Sequence, residues 1–164
     1  MSVAERLLPE FEQEMKSTRR VIERVPDDDP GWKPHPKSFS IAHLAQLVAW
    51  MPGWIGQQLN ETSLDLKTAG GYSNEKTSRL LEIFDENVRA SRAAIAQSKD
   101  EDYEVDWSLK MGDQVLYTDS RYNVVRQTIS HLSHHRGQLT VYLRLRDVPV
   151  PAIYGPTADE GWGG

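Results

Sequence analysis

Three of the chain's five histidines lie within five consecutive residues, and their spacing is suited to holding a metal ion. They are His131, His134 and His135, in a stretch whose pattern predicts a helix. Residues four apart on a helix share a face, with Cβ atoms about 6 Å apart, so His131 and His135 can each direct a ring nitrogen at one ion. His134 lies about 100° around the helix from His135. The spacing therefore predicts a two-histidine ligand set with His134 turned aside, and a tight site needs a third ligand from elsewhere.

A structural role competes with this metal-site interpretation. A histidine on an amphipathic helix is more often a hydrogen-bonded packing residue than a ligand. The i, i+4 pair favours a ligand role, because imidazole is a common ligand of zinc, nickel and iron. No glutamate of an HExxH motif accompanies the pair, which disfavours zincin-type peptidase chemistry. The absence of cysteine excludes disulfides, thiolate ligands and a cysteine nucleophile.

Four amphipathic segments predict the helices that position these histidines. They span residues 2–25, a segment from Ser38 or Ser40 to residue 59, residues 74–97, and residues 120–146. The last helix carries the histidines mid-helix on its core-facing side. Residues 105–110 and 114–118 predict a β-hairpin around residues 111–113. The sequence thus predicts an all-α fold: an antiparallel four-helix bundle with a long crossover and a small β-hairpin before the last helix.

Proline and glycine mark the segments between and within these helices. Residues 26–38 hold four prolines, so they predict an ordered, non-helical connector, anchored by Trp32. Pro52 and Gly53 are expected to kink the second helix. Gly137 weakens the last helix and could let a neighbouring helix, a ligand or a partner subunit approach. Residues 151–164 predict an extended C-terminal tail that packs back along the body.

Length and composition restrict the functional class. With 164 residues, the chain is expected to form one domain over residues 1–164. It is 38% hydrophobic and 26% charged, and no apolar run approaches the ~18 residues of a membrane span. The N-terminus lacks the apolar centre of a signal peptide, so a cytoplasmic protein without a membrane partner is expected. A net charge of -5 argues against nucleic acid as a partner.

Several motifs extend the pattern beyond the histidines. They are HLSHHRGQL at residues 131–139, YLRL at 142–145, VPVP at 148–151, YGP at 154–156, WKP at 32–34 and MPGW at 51–54. With these motifs the chain resembles the DinB-like (DNA-damage-inducible) family over nearly its whole length. The resemblance implies a four-helix bundle, commonly a homodimer. It also implies a divalent metal, nickel or zinc first and iron or manganese next, held by three histidines. Two of these correspond to His131 and His135.

The chain departs from the family pattern at the third ligand. In the family this histidine usually precedes the Trp of the Pro-Gly-Trp turn by about seven residues, a position occupied here by Leu47. The available histidine is His43, one helical turn or about 6 Å earlier. His43 can complete the set with His131 and His135 only if the second helix is displaced or the metal lies nearer that end. Otherwise the site is degenerate and binds metal weakly.

Two functions from different classes follow. Related members of the family resemble metal-dependent hydrolases or transferases of low-molecular-weight thiols, which implies a small-molecule or thiol substrate. Arg136, Gln138 and Tyr142 are candidates for supporting the ligands, although Arg136 is equally explained as a surface ion pair and Tyr142 as a core aromatic. Tyr154 could line the pocket or only pack the tail. The alternative function is a non-catalytic, stress-linked binding or dimerisation module with a vestigial metal site.

Overall fold

The fold is mostly helical and carries a small three-stranded sheet. The computed structural model describes residues 1–162, so Gly163 and Gly164 of the predicted tail lie outside the described residues. The elements are α1 (Val3–Ile22), α2 (Ile41–Asn60), β1 (Ser63–Asp65), α3 (Thr77–Gln97), α4 (Asp100–Tyr103), β2 (Asp106–Met111), β3 (Gln114–Ser120) and α5 (Arg121–Leu145). The four long helices and the hairpin confirm the sequence predictions. The strand β1 and the single turn α4 were predicted as loop.

Serine side chains cap three of the long helices, at or next to the predicted starts of those segments. Ser2 forms a capping box with Glu5 at the start of α1. Ser40 accepts a hydrogen bond from the backbone of His43, so α2 begins after Ser40 rather than Ser38. Ser120 caps α5 in the same way. Each serine satisfies a backbone N–H that has no partner inside its helix.

Helix α2 continues through Pro52, because α3 supplies partners for the backbone groups around it. The Ser91 hydroxyl donates to the Pro52 carbonyl at 2.6 Å and accepts from the Gly56 amide at 2.9 Å. Asn87 donates to the Ala49 carbonyl at 3.1 Å. A Cβ at Gly56 would lie 2.9 Å from the Ser91 hydroxyl. The missing side chain therefore allows the close approach of α2 and α3.

The sheet brings three side chains from distant parts of the chain into one row. Strand β1 pairs in parallel with β2, and Leu64 lies beside Leu109. Strand β2 pairs antiparallel with β3, and Leu109 lies beside Tyr117. Partners in register on adjacent strands project to the same face. A three-residue strand such as β1 is too short for alternation to reveal it, so the sequence did not predict it.

The connector and the tail both pack on the helices. Trp32 packs against the core, as predicted, with its ring edge-on to Tyr142 at a centroid distance of 5.6 Å. Ile153 of the tail also packs against the core. Arg20 of α1 and Arg24, just after α1, form ion pairs with the Glu160 carboxylate of the tail. Within residues 1–162, no helix combines the length and the apolar character needed to cross a membrane.

Candidate metal centre

The structure brings His131 and His135 together one turn apart on α5. Their Nε2 atoms lie 2.9 Å from each other, and the ring centroids are 4.6 Å apart. His135 is buried, with 9% of its surface exposed. His131 is exposed to solvent, which corrects the prediction that both rings face the core. The pair thus lies at the edge of the core, where a solvent-borne ion or small molecule can reach His131.

Gln138 determines how the rings share protons. Its Oε1 lies 2.8 Å from His135 Nδ1, and its Nε2 lies 3.1 Å from His134 Nε2. An amide oxygen can only accept, so a neutral His135 in this arrangement carries its proton on Nδ1 and its lone pair on Nε2, the atom that faces His131. Gln138 thus contacts the rings of both His135 and His134. Its role in supporting the ligands stays a prediction.

The spacing of the two nitrogens suits a shared divalent ion. Two imidazole nitrogens bound about 2.0–2.1 Å from one ion, at angles of about 90–109°, lie about 2.9–3.4 Å apart. The observed 2.9 Å is at the lower end of that range. Neutral imidazoles are donors that zinc, nickel and iron accept well. The pair therefore fits as two ligands of such an ion.

Electrostatics keep His131 in the protonation state that a ligand needs. The side of the ring that packs against the protein loses water, which lowers the pKa of His131 although the side chain reaches solvent. The neighbouring His135 and His134 lower this pKa further, because a second positive charge nearby is unfavourable. A lowered pKa favours the neutral ring at neutral pH, and a neutral ring offers its lone pair to a metal.

His43 lies in an aromatic stack. Its ring is stacked on Phe39 at 4.3 Å and on Tyr72 at 3.6 Å between centroids. Loss of water in this stack lowers the pKa of His43. Phe39 also contacts the ring of His135, with centroids 6.5 Å apart. Within the part of the chain that the structure describes, no three histidine, cysteine, aspartate or glutamate side chains are grouped so that they could hold a metal.

The position that usually carries the third histidine ligand in the family lies in the hydrophobic core of this chain. Leu47 is 6% exposed and packs in the hydrophobic cluster between the helices. His43 is one turn nearer the start of α2, where Ser40 caps the helix. A third ligand from His43 would therefore require this ring to leave its stack.

Arg136 forms a buried ion pair with α1. Its guanidinium is 2.7 Å from the Glu14 carboxylate and donates to the Glu14 carbonyl and the Thr18 hydroxyl, each at 3.1 Å. Arg136 also donates to the Tyr154 hydroxyl, which in turn donates to Glu14 at 2.8 Å. The exposed fractions of Arg136 and Glu14 are 1% and 8%. The motif arginine thus connects α5, α1 and the tail. Of the two roles considered from the sequence, support of the ligands or a surface ion pair, the second was right about the ion pair and wrong about its exposure.

Tyr142 supports the segment beside the histidines. Its hydroxyl donates to the Phe39 carbonyl at 3.3 Å, and its side chain is 9% exposed. This bond holds Phe39, which packs between His43 and His135.

Gly137 has open space around it. A Cβ placed there meets nothing within 4 Å in the described part of the chain.

A cavity that the sequence did not predict opens beside His131. It has a volume of about 650 Å³ and lies between α2, α5 and the sheet. Its apolar and aromatic wall is formed by Trp54, Leu64, Trp107, Leu109, Tyr117 and Val124. Val124, Thr128 and His131 recur at intervals of four and three residues, so one stripe of α5 leads from the cavity to the histidine pair. The alternation of Trp107 and Leu109 in the predicted strand was the sequence signal for part of this wall.

Comparison with known proteins identifies the family but not a reaction. The family model of the DinB family matches residues 1–162. The uncharacterized protein YrdA of Bacillus subtilis (strain 168) is 53% identical over 32 residues, which are 20% of this chain and only 19% of that protein.

Solved structures of DinB-like proteins share the fold. The DinB-like protein YjoA of Bacillus subtilis superposes with a TM-score of 0.71 at 17% identity, over 90% of this chain and 97% of its own. A DinB-like protein of Bacillus cereus ATCC 10987 gives 0.70 at 17% identity, over 90% and 95% of the two chains. By the family match over residues 1–162, the chain belongs to the DinB family.

Proposed function

We propose that this chain is a divalent-metal-dependent enzyme, a hydrolase or a low-molecular-weight-thiol transferase. In this proposal His131 and His135 hold the metal, and His43 is the third ligand. The observation that carries the proposal is the convergence of the His131 and His135 Nε2 atoms at 2.9 Å, with the outer nitrogen of His135 hydrogen-bonded to Gln138. Histidine ligands of metals commonly have such a partner for their second nitrogen.

Different residues of the chain have different roles at such a site. A divalent ion supplies Lewis acidity, which activates water or polarises a substrate oxygen or sulfur. Gln138 holds His135 in the tautomer whose Nε2 can bind, and the buried position of His135 restricts its motion. His131 lines the cavity, so its side of the site is the one that a substrate reaches. Nickel or zinc suits these donors best, with iron or manganese as further candidates.

The proposal also includes the architecture and assembly that the sequence predicted. An antiparallel four-helix bundle is supported by the packing of both α1 and α2 against α3 and α5. A homodimer is supported by one stripe of α5, where Gly137 is followed at intervals of four by Val141 and Leu145, each 56% exposed. Exposed apolar side chains on one helix face favour a partner. A cytoplasmic location stays part of the same proposal.

Metal analysis of protein purified without a histidine tag tests the proposal. The protein is loaded with Ni²⁺ or Zn²⁺, desalted and assayed for metal content. We expect about one ion per chain, and a strong decrease in both His131→Ala and His135→Ala. His134→Ala is the matched control, because this residue lies on the same helix but is turned away, and it should retain metal. Retention of metal by the His43→Ala variant would show that His43 is not a ligand. His131 and His135 would remain as the proposed ligand pair.

A non-catalytic module is the second candidate function. It is favoured by the stacking of His43 between Phe39 and Tyr72 and by Leu47 in the core. Two ligands bind a divalent ion weakly, so a vestigial site would lose metal on desalting. Loss of metal from the wild-type chain under every loading condition would contradict the enzyme proposal and support this alternative.

A further inference from the structure

The cavity beside His131 has the size and the walls of a small-molecule site. Its volume of about 650 Å³ lies inside the range of about 300–1,000 Å³ typical of ligand pockets. One wall is the row Leu64, Leu109 and Tyr117, which the three strands place side by side. The opposite wall comes from α5, and it ends at His131. With α2, which contributes Trp54, four separate segments of the chain therefore meet around one apolar space.

The lining of this cavity contains no aspartate, glutamate, lysine or arginine among the described residues, although 26% of the whole chain is charged. Two of its polar groups satisfy each other, because Gln58 donates to the Thr128 hydroxyl at 2.8 Å. A charged ligand would therefore lose its water here without gaining a partner of opposite charge, which is strongly unfavourable. An apolar ligand would lose nothing comparable and would cover the exposed wall.

From this lining we propose that the cavity binds an uncharged, mainly apolar small molecule, with one end of the molecule at His131. The identification of this molecule as the substrate class rests on the proposed function. A ligand of this kind favours hydrolysis of an uncharged compound with an apolar group. It disfavours a transferase reaction in which a thiol cosubstrate binds in this cavity. Common cellular thiols carry carboxylate groups, and away from the proposed metal position at His131 the described part of the lining contains no charged side chain to pair with them.

Two dyes that differ by one charged group test this proposal directly. N-phenylnaphthylamine is uncharged, and anilinonaphthalene sulfonate has the same rings with an added sulfonate. We expect the uncharged dye to bind the full-length chain with one site and increased emission, and the sulfonate to bind at least about tenfold more weakly. Equal or tighter binding of the sulfonate would overturn the proposal. So would failure of the uncharged dye to bind at all.

A pair of substitutions locates the dye. Leu66 lines the cavity and is 38% exposed, whereas Leu116 is 46% exposed and is not part of the lining. Because both are already exposed, Leu66→Glu and Leu116→Glu should fold equally well. We expect Leu66→Glu to weaken binding of the uncharged dye at least about tenfold, since it introduces a charge into the wall. Leu116→Glu should leave binding unchanged. Equal effects of both would place the dye elsewhere.

Size-exclusion chromatography with and without the dye tests the competing occupant, a second copy of the chain. Under the proposal, the dye binds without changing the oligomeric state. Dissociation of an oligomer as the dye binds would show that a partner subunit normally covers the cavity, and would overturn the proposal.

The His135→Ala variant separates this inference from the proposed function. His135 is not part of the cavity lining, so dye binding should persist in this variant even though metal binding is lost. With Ni²⁺ loaded on the wild-type chain, we expect the ion to quench bound dye, and His135→Ala to abolish that quenching. Metal binding without dye binding refutes the cavity inference alone. Dye binding without metal binding refutes the proposed enzyme and leaves an apolar binding cavity. Dye and metal together without quenching refute the cavity as the substrate site.

Discussion

Replacement of Arg136 by alanine tests whether this motif residue acts in the fold rather than at the metal pair. The change removes the guanidinium that pairs with Glu14 at 2.7 Å and that donates to the Thr18 and Tyr154 hydroxyls. With 11% of its side chain exposed, the Glu14 carboxylate would remain largely buried without a cation. Removing one partner of a buried pair costs about 3–5 kcal/mol. We therefore expect the free energy of unfolding to fall by about that amount.

The exposed pair of Arg79 and Glu82 provides the matched control. Its side chains are 55% and 66% exposed, so solvent screens the interaction. Arg79→Ala should change the free energy of unfolding by less than about 1 kcal/mol. Tyr154→Phe removes only the hydroxyl that contacts Arg136 and Glu14, from a side chain that is 67% exposed, and should cost about 0.5–1.5 kcal/mol. The order of effects thus follows the number and burial of the lost partners.

Urea unfolding followed by circular dichroism measures these differences. The Arg136→Ala variant is compared with wild type by linear extrapolation, and a shared slope shows that stability alone has changed. Metal affinity, measured at a temperature where the variant stays folded, should remain close to wild type. An effect of Arg136→Ala as small as that of Arg79→Ala, or a selective loss of metal without destabilisation, would refute the reasoning.

Three further predictions concern α5 and the tail. Gln138→Leu should weaken metal binding about 10–100-fold by releasing His135 Nδ1, measured by calorimetry, and unchanged affinity would contradict this. Gly137→Ala should raise the free energy of unfolding of the isolated chain by about 0.5–1 kcal/mol, because a Cβ there meets no atom of the described residues within 4 Å, and a loss of stability would contradict it. The Ala152 amide holds the pKa of Glu160 below its ordinary value, so the contact stabilises the tail at neutral pH and is lost as pH falls through the lowered pKa. Limited proteolysis should show tail release in acid, and Glu160→Gln should reduce that pH dependence; an identical acid profile would contradict this.

The sequence predicted best what depends on neighbouring residues. The i, i+4 spacing placed His131 and His135 together, and the predicted starts of α1, α2 and α5 lie close to the serines that cap them. These features depend on the geometry of one helix turn. They need no knowledge of how distant segments pack.

Features that depend on distant pairing were not predictable in this way. Strand β1 forms by pairing with the distant strand β2, which places Leu64 beside Leu109. Both side chains line the cavity together with residues of α5. Glu14 is far from Arg136 along the chain, so no local pattern reveals their ion pair. The stacking of His43 on Tyr72 likewise depends on a loop that crosses α2. Tertiary contacts between remote residues therefore account for most of what the sequence did not predict.

An anomalous-difference map from a crystal of untagged protein loaded with nickel or zinc tests whether His131 and His135 bind a metal. Data collected on both sides of the metal's absorption edge would identify the element as well as its position. We expect one strong peak about 2.0–2.1 Å from the Nε2 atoms of both His131 and His135, with Gln138 still bonded to His135. A fully loaded crystal without a peak there, with the two imidazoles bonded only to each other and to Gln138, would contradict it.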